Sequence, residues 1–118
     1  MNIKIFNGPN LNLLGKRNKN IYGKETLNEI QNWVEIKIDN KHLIEWFQSN
    51  HEGKIIDEMH RSIDSCEGII INPGAFTHYS YAIRDAIESI DIPNSWLTVT
   101  LASKYVSSKP DTDALTIN

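Results

Sequence analysis

Three polar stretches hold the residue types that do chemistry. Asn7-Gly8-Pro9-Asn10, Gln48-Ser49-Asn50-His51 and Asn72-Pro73-Gly74-Ala75-Phe76-Thr77-His78 each follow an apolar, β-branched segment. The first opens a stretch running to Gly23 that contains Arg17 and Tyr22. A guanidinium favours the phenolate of a nearby tyrosine, which can then accept a proton. The alternative is that Tyr22 packs and Arg17 is solvated, as is common for both residue types. His78 follows Thr77, a residue able to cap a helix, so the spacing places it in a first helical turn. There the helix N-terminus disfavours an imidazolium and offers N–H groups to a hydroxyl- or carboxylate-bearing ligand. A solvated helix-start histidine is the other reading. His51 can cap a helix, pair with Glu52 or face the same rim, while His42 and His60 read as structural. Cys66 reads as a small core residue, with no Ser-His-Asp order or nucleophile elbow beside it.

These stretches need a scaffold. Residues 2 to 6 read as a strand, and residues 25 to about 39 place Leu27, Ile30, Val34 and Ile38 at helical spacing. Residues 42 to 47 form a second strand, followed by a helix over 52 to 65 with Ile55, Ile56, Met59 and Ile63 on one face. Residues 68 to 72 (GIIIN) are a continuous β-branched run suited to a central parallel strand. The next helix carries Ala82, Ile83, Ala86, Ile87 and Ile90 as its stripe and ends at Asp91-Ile92-Pro93, and a fourth strand is expected within 96 to 101. Alternating strands and helices specify crossovers and a parallel sheet, so the expected fold is a flavodoxin-like α/β three-layer sandwich. Ligands of such sheets bind outside the carboxyl ends of the strands, where all three polar stretches lie. The connection over residues 7 to 23 is long for its type and reads as a lid.

Composition narrows the classes. With 118 residues the chain is expected to form one domain, residues 94 to 118 being an atypical tail. A formal net charge of −3 without clustered Lys and Arg argues against nucleic acid as a partner. One cysteine allows no intramolecular disulfide and no cysteine-rich zinc site. The opening MNIKIFNGPN has no basic region leading into a long apolar stretch, and no run is long enough for a membrane span; a soluble cytoplasmic protein is expected. No glycine pattern of a dinucleotide site or P-loop is present, and the first polar loop offers Asn and Leu where a flavin or phosphate module needs a hydroxyl- and glycine-rich cradle.

The motifs N-G-P-N-L-N-L-L-G at 7–15, Arg17 with Ile21-Tyr22-Gly23, F-Q-S-N-H-E-G at 47–53 and I-I-I-N-P-G-A-F-T-H at 69–78 together resemble type II 3-dehydroquinate dehydratase. The resemblance runs from residue 1 to about 93. It implies a flavodoxin-like fold, trimers grouped into dodecamers, and no metal or organic cofactor. The reaction implied is trans elimination of water from 3-dehydroquinate through an enolate to 3-dehydroshikimate, a lyase step of the shikimate pathway to aromatic amino acids or of quinate breakdown. By the same resemblance Tyr22 matches the base, Arg17 its activator and lid-closing partner, and Asn10 the residue ordering a water near the enolate oxygen. Asn72, His78 and Asp85 match substrate-binding positions, with Asp85 expected two turns into its helix and acting across a subunit interface or through water. Pro9, Gly74 and Ala75 would shape the pocket through the backbone.

After Pro93 the sequence leaves the pattern. The family continues into Glu-Val-His-Leu-Ser-Asn, an arginine-rich stretch and a final helix; here the echo is Thr98-Val99-Thr100-Leu101-Ala102-Ser103, with Thr100 where the general-acid histidine belongs. No histidine follows His78 and no arginine follows Arg84. A truncated or frame-altered tail, without the final helix and leaving one sheet face less covered, is the expectation. Ser103, Lys104 or Lys109 would then be candidates for the missing anion contact or proton. Two readings stand: the lyase, or a catalytically impaired or non-catalytic homologue that binds a polyhydroxylated carboxylate or serves as an assembly subunit.

Overall fold

The computed structural model describes residues 1–90, Ile92, and the backbone of strands at 97–99 and 115–117. Five strands form one sheet: β1 (Asn2–Asn7), β2 (Leu43–Gln48), β3 (Gly68–Asn72), β4 (Leu97–Val99) and β5 (Leu115–Ile117). Every pairing is parallel and the order is β2-β1-β3-β4-β5. This is the flavodoxin-like order, whose direction of winding reverses between β1 and β3. The expected fourth strand is present. β5 had no counterpart in the sequence reading, because three residues are too few to show a period. Thr100, Ser103, Lys104 and Lys109, and the expectation of a missing final helix, fall outside the described residues.

Register explains the layers. Lys4 and Phe6 lie beside Glu45 and Phe47 on β2 and beside Ile69 and Ile71 on β3. On that face α3 (Glu52–Ser62) and α4 (Tyr81–Ser89) cover a core of Phe6, Ile55, Met59, Ile69, Ile71, Phe76, Ile83 and Ala86. Phe6, Ile55 and Met59 are fully excluded from solvent. Burying each such side chain contributes roughly 1.5–3 kcal/mol. Ile5 and Trp46 point to the opposite face, where α2 (Leu27–Lys37) takes the Trp46 Nε1–H on Glu35 at 3.1 Å. α2 starts at a capping box, with Thr26 Oγ1 accepting from the Glu29 N–H and the Glu29 carboxylate accepting from the Thr26 N–H.

Several expected positions are corrected. Ile63, just past the last residue of α3, is exposed; in that last turn the buried position is Ser62, whose hydroxyl donates to the Glu58 carbonyl at 2.7 Å. Ala82 is exposed, leaving Ile83 and Ala86 as the buried residues of α4. His42 and His60 are exposed rather than packed, and Cys66 is only half-buried. No helix among the described residues is long and apolar enough to cross a membrane.

Among the described residues, Lys4 is the one charged side chain that is buried. Its Nζ donates to Glu58 of α3 and lies 3.3 Å from Glu45 of β2, joining two strands and a helix. Burial alone would lower the ammonium's pKa, but the hydrogen bonds and charges of Glu58 and Glu45 outweigh it and hold the pKa above its ordinary value. A raised folded-state value stabilises fully below the unfolded lysine pKa of 10.5 and is lost as pH rises through the folded value. Lys4→Met leaves Glu58 without its strand partner and is expected to cost about 3 kcal/mol in urea unfolding at neutral pH. The gap between wild type and variant should narrow as pH rises above about 10.5.

Candidate active site

At the carboxyl end of the sheet, β1 and β3 meet backbone to backbone. The Gly8 N–H donates to the Asn72 carbonyl at 2.8 Å, and a Cβ on Gly8 would lie 2.3 Å from the Pro73 carbonyl oxygen. Only glycine permits this approach. Gly74 adopts a φ of 58°, and its N–H donates to Asn72 Oδ1 at 3.2 Å. A Cβ there would stand 3.1 Å from the Pro9 carbonyl oxygen. Pro9, Asn72 and Gly74 are therefore brought together by main chain.

The second polar stretch locks onto the first. Gln48 Nε2 donates to the Gly8 carbonyl at 3.1 Å and to Asn50 Oδ1 at 3.2 Å. Asn50 Oδ1 also accepts the Asn10 N–H at 3.0 Å, and Asn10 itself holds a left-handed φ of 68°. A non-glycine residue in that region is a local cost accepted where the surroundings enforce it, and asparagine tolerates it best. The Asn10 side chain is left exposed at the rim. Buried Leu11 and Leu14 anchor the chain beyond it.

That long connection is organised by short elements: a 3₁₀ turn at Leu11–Leu13 and a single helical turn, α1 (Lys19–Tyr22), capped by the Asn18 side chain. Arg17 lies over the Tyr22 ring, its guanidinium carbon 3.8 Å from the centroid. The two candidates are partners, but through the ring face, a cation–π contact. Both are half-buried.

His78 requires a correction. Thr77 caps no helix: residues Gly74–His78 form a 3₁₀ stretch, and α4 begins only after Ser80, whose Oγ accepts the Ile83 N–H at 3.0 Å. His78 thus stands before the helix, not in its first turn, and is exposed. The cause is local, since the Phe76 carbonyl accepts the N–H groups of both Tyr79 and Ser80 and delays the helix. Asp85 consequently lies one turn into α4, not two, and is exposed, as is Ala75. His51 occupies the N-cap position of α3 without a capping side-chain bond, and Glu52 pairs with Ser80 instead, Oγ to Oε2 at 2.6 Å. That pair and the Gln48–Asn50–Asn10 link were not foreseen. The Ser80-x-x-Ile83 start of an apolar stripe is the capping signal that could have located α4. Asn7 Nδ2 and Thr77 Oγ1 are buried at this end without a hydrogen-bond partner.

A parallel α/β sheet with glycine-permitted loop contacts and an amide network at its switch point has the form of a small-molecule binding scaffold. The model of the family Dehydroquinase class II matches residues 1–104, and the chain belongs to that family. It is 58% identical over 90 residues to the 3-dehydroquinate dehydratase of Bacillus mycoides (strain KBAB4), covering 75% of this chain and 62% of that protein. The 3-dehydroquinate dehydratase of Thermotoga maritima is 53% identical over 97 residues, with 79% and 64% covered. The chain therefore spans under two thirds of the length of these relatives. Among solved structures, a type II dehydroquinase from Butyrivibrio crossotus superposes with a TM-score of 0.79 at 48% identity, covering 84% of this chain and 69% of that one. A 3-dehydroquinate dehydratase-like protein from Bifidobacterium longum gives 0.67 at 28% identity, covering 99% and 83%.

Gly8→Ala drives a methyl group into the Pro73 carbonyl and is expected to lower stability by about 3 kcal/mol. Thermal unfolding checks it, with Gly53→Ala as control, since a Cβ at Gly53 meets nothing within 4 Å.

Proposed function

We propose that this chain is a dehydratase acting on 3-dehydroquinate, in which one flavodoxin-like domain binds the polyhydroxylated carboxylate at the β1–β3 switch point. The observation that carries the reading is the convergence of three motif-bearing loops on Gly8, with Asn10 held at the rim by Asn50. Removing a carbon-bound proton next to a ketone leaves an enolate; expulsion of the β-hydroxyl then gives a conjugated enone. Tyr22 is assigned as the base and Arg17 as the cation that favours its phenolate. The assignment requires the guanidinium to move from the ring face, where it lies 3.8 Å from the centroid, to the phenol oxygen. Asn10 is assigned to the developing enolate oxygen, directly or through water, a role worth a few kcal/mol per donor. Asn72, His78 and Asp85 are assigned to substrate hydroxyls, with Pro9, Gly74 and Ala75 shaping the floor. No cofactor enters this scheme.

Asp85 is exposed one turn into α4, which suits a contribution to a neighbouring subunit's site. Trp33, Ile36 and Leu43 are also exposed, at 62%, 81% and 64%, on α2 and the edge strand β2. Such apolar surface supports a cytoplasmic homo-oligomer, a trimer or dodecamer by family resemblance, in the shikimate pathway. Light scattering is expected to give a mass at least three times that of the chain; a monomer would overturn this assignment.

The catalytic assignment is tested by an ultraviolet time course with 3-dehydroquinate, following the enone. Turnover is expected, slower than that of the Thermotoga maritima relative by about 10²–10⁴, the usual contribution of a general acid. The cause is Thr100 at the position where the resemblance puts the general-acid histidine. Tyr22→Phe should abolish turnover and Asn10→Ala should reduce it by about a hundredfold. A folded wild type that binds 3-dehydroquinate without converting it would instead support the non-catalytic homologue.

A further inference from the structure

Ser80 is a junction. It is 9% exposed; its Oγ accepts the Ile83 N–H at 3.0 Å and donates to Glu52 Oε2 at 2.6 Å. Glu52 is the first residue of α3, so one carboxylate serves the N-terminal ends of two helices, where both dipoles favour negative charge. The bond is charge-assisted and joins positions 28 residues apart.

The segment from Pro73 to Ser80 carries Ala75 and His78 and hangs between two fixed points. At its start are the Gly8–Pro73 approach and the bond from Gly74 to Asn72. Between the ends Phe76 is seated in the core, and the backbone bonds within the segment are short-range, Phe76 N–H to Pro73 at 3.2 Å, Tyr79 N–H to Phe76 at 3.3 Å and Ser80 N–H to Phe76 at 2.9 Å. Such 3₁₀ geometry is weak, so the order of the stretch beyond Phe76 depends on how Ser80 is held. We propose that Glu52 is a positioning residue which, through Ser80, holds residues 73–80 and with them His78 at the substrate rim. The assignment rests on the reading of that rim as the 3-dehydroquinate site; Glu52 itself touches no substrate.

The variants separate clamp from cap. Glu52→Gln keeps an acceptor oxygen for Ser80. Ser80→Asp keeps a good N-cap but sets carboxylate against carboxylate, and adding Glu52→Gln restores a donor–acceptor pair. In the full chain, Glu52→Ala and Ser80→Asp should speed amide exchange at Phe76 and Tyr79 by about tenfold relative to Phe6 and Ile71 in the central strands. KM for 3-dehydroquinate should rise by about tenfold while kcat stays within about twofold, as for lost uniform binding. Glu52→Gln and the double variant should resemble wild type. Unchanged exchange at Phe76 and Tyr79, or equal acceleration at Phe6 and Ile71, would overturn the clamp. If wild type neither binds nor converts 3-dehydroquinate, the substrate reading falls while the exchange pattern still decides whether Glu52 orders this segment.

Discussion

The carboxyl ends of β1 and β3 can come together only because Gly8 has no side chain, and the rim is built outward from that contact. With the Gly8 N–H on the Asn72 carbonyl and its α-carbon against Pro73, the first and third loops share a backbone wall. Gln48 then ties the second loop to the Gly8 carbonyl, and Asn50 reaches from there to Asn10. Each later bond presupposes the earlier approach. A larger residue at position 8 would push against the Pro73 carbonyl, on the contact these bonds are built around.

Below the rim the sheet supplies rigidity by different means. The face under α3 and α4 is apolar and close-packed around Phe6 and Ile71. It also admits one cation, Lys4, because Glu58 and Glu45 meet it from both sides. On the opposite face α2, among the described residues, contributes no fully buried residue. Rigid packing therefore backs β3 and the helices that lead to His78 and Ser80, while the Arg17–Tyr22 segment is held mainly by Leu11, Leu14 and its own short turns.

Legibility in the sequence followed the range of the forces involved. The three long strands of the sheet and the buried stripes of α3 and α4 were visible because hydrophobic periodicity is a local record of which face is covered. Strand β5 was not, being short, and Ile63 and Ala82 were misplaced because a stripe does not reveal where a helix stops or starts. Thr77 and Ser80 both qualify by type as the N-cap, and only the Phe76 carbonyl's double acceptance gives it to Ser80. The family membership was legible from three motifs in order, and with it the identities of the candidate residues.

By itself, then, the sequence determined the α/β alternation, the parallel sheet and the set of polar residues placed at the strand ends, because these depend on residue type and on spacings of a few positions. Only the tertiary structure decided that Arg17 stacks on the Tyr22 ring, that Asn10 takes a left-handed backbone under Asn50, and that Glu52 serves Ser80 rather than His51. Those are contacts between groups brought together by the sheet, and their geometry is set by packing that no local pattern encodes.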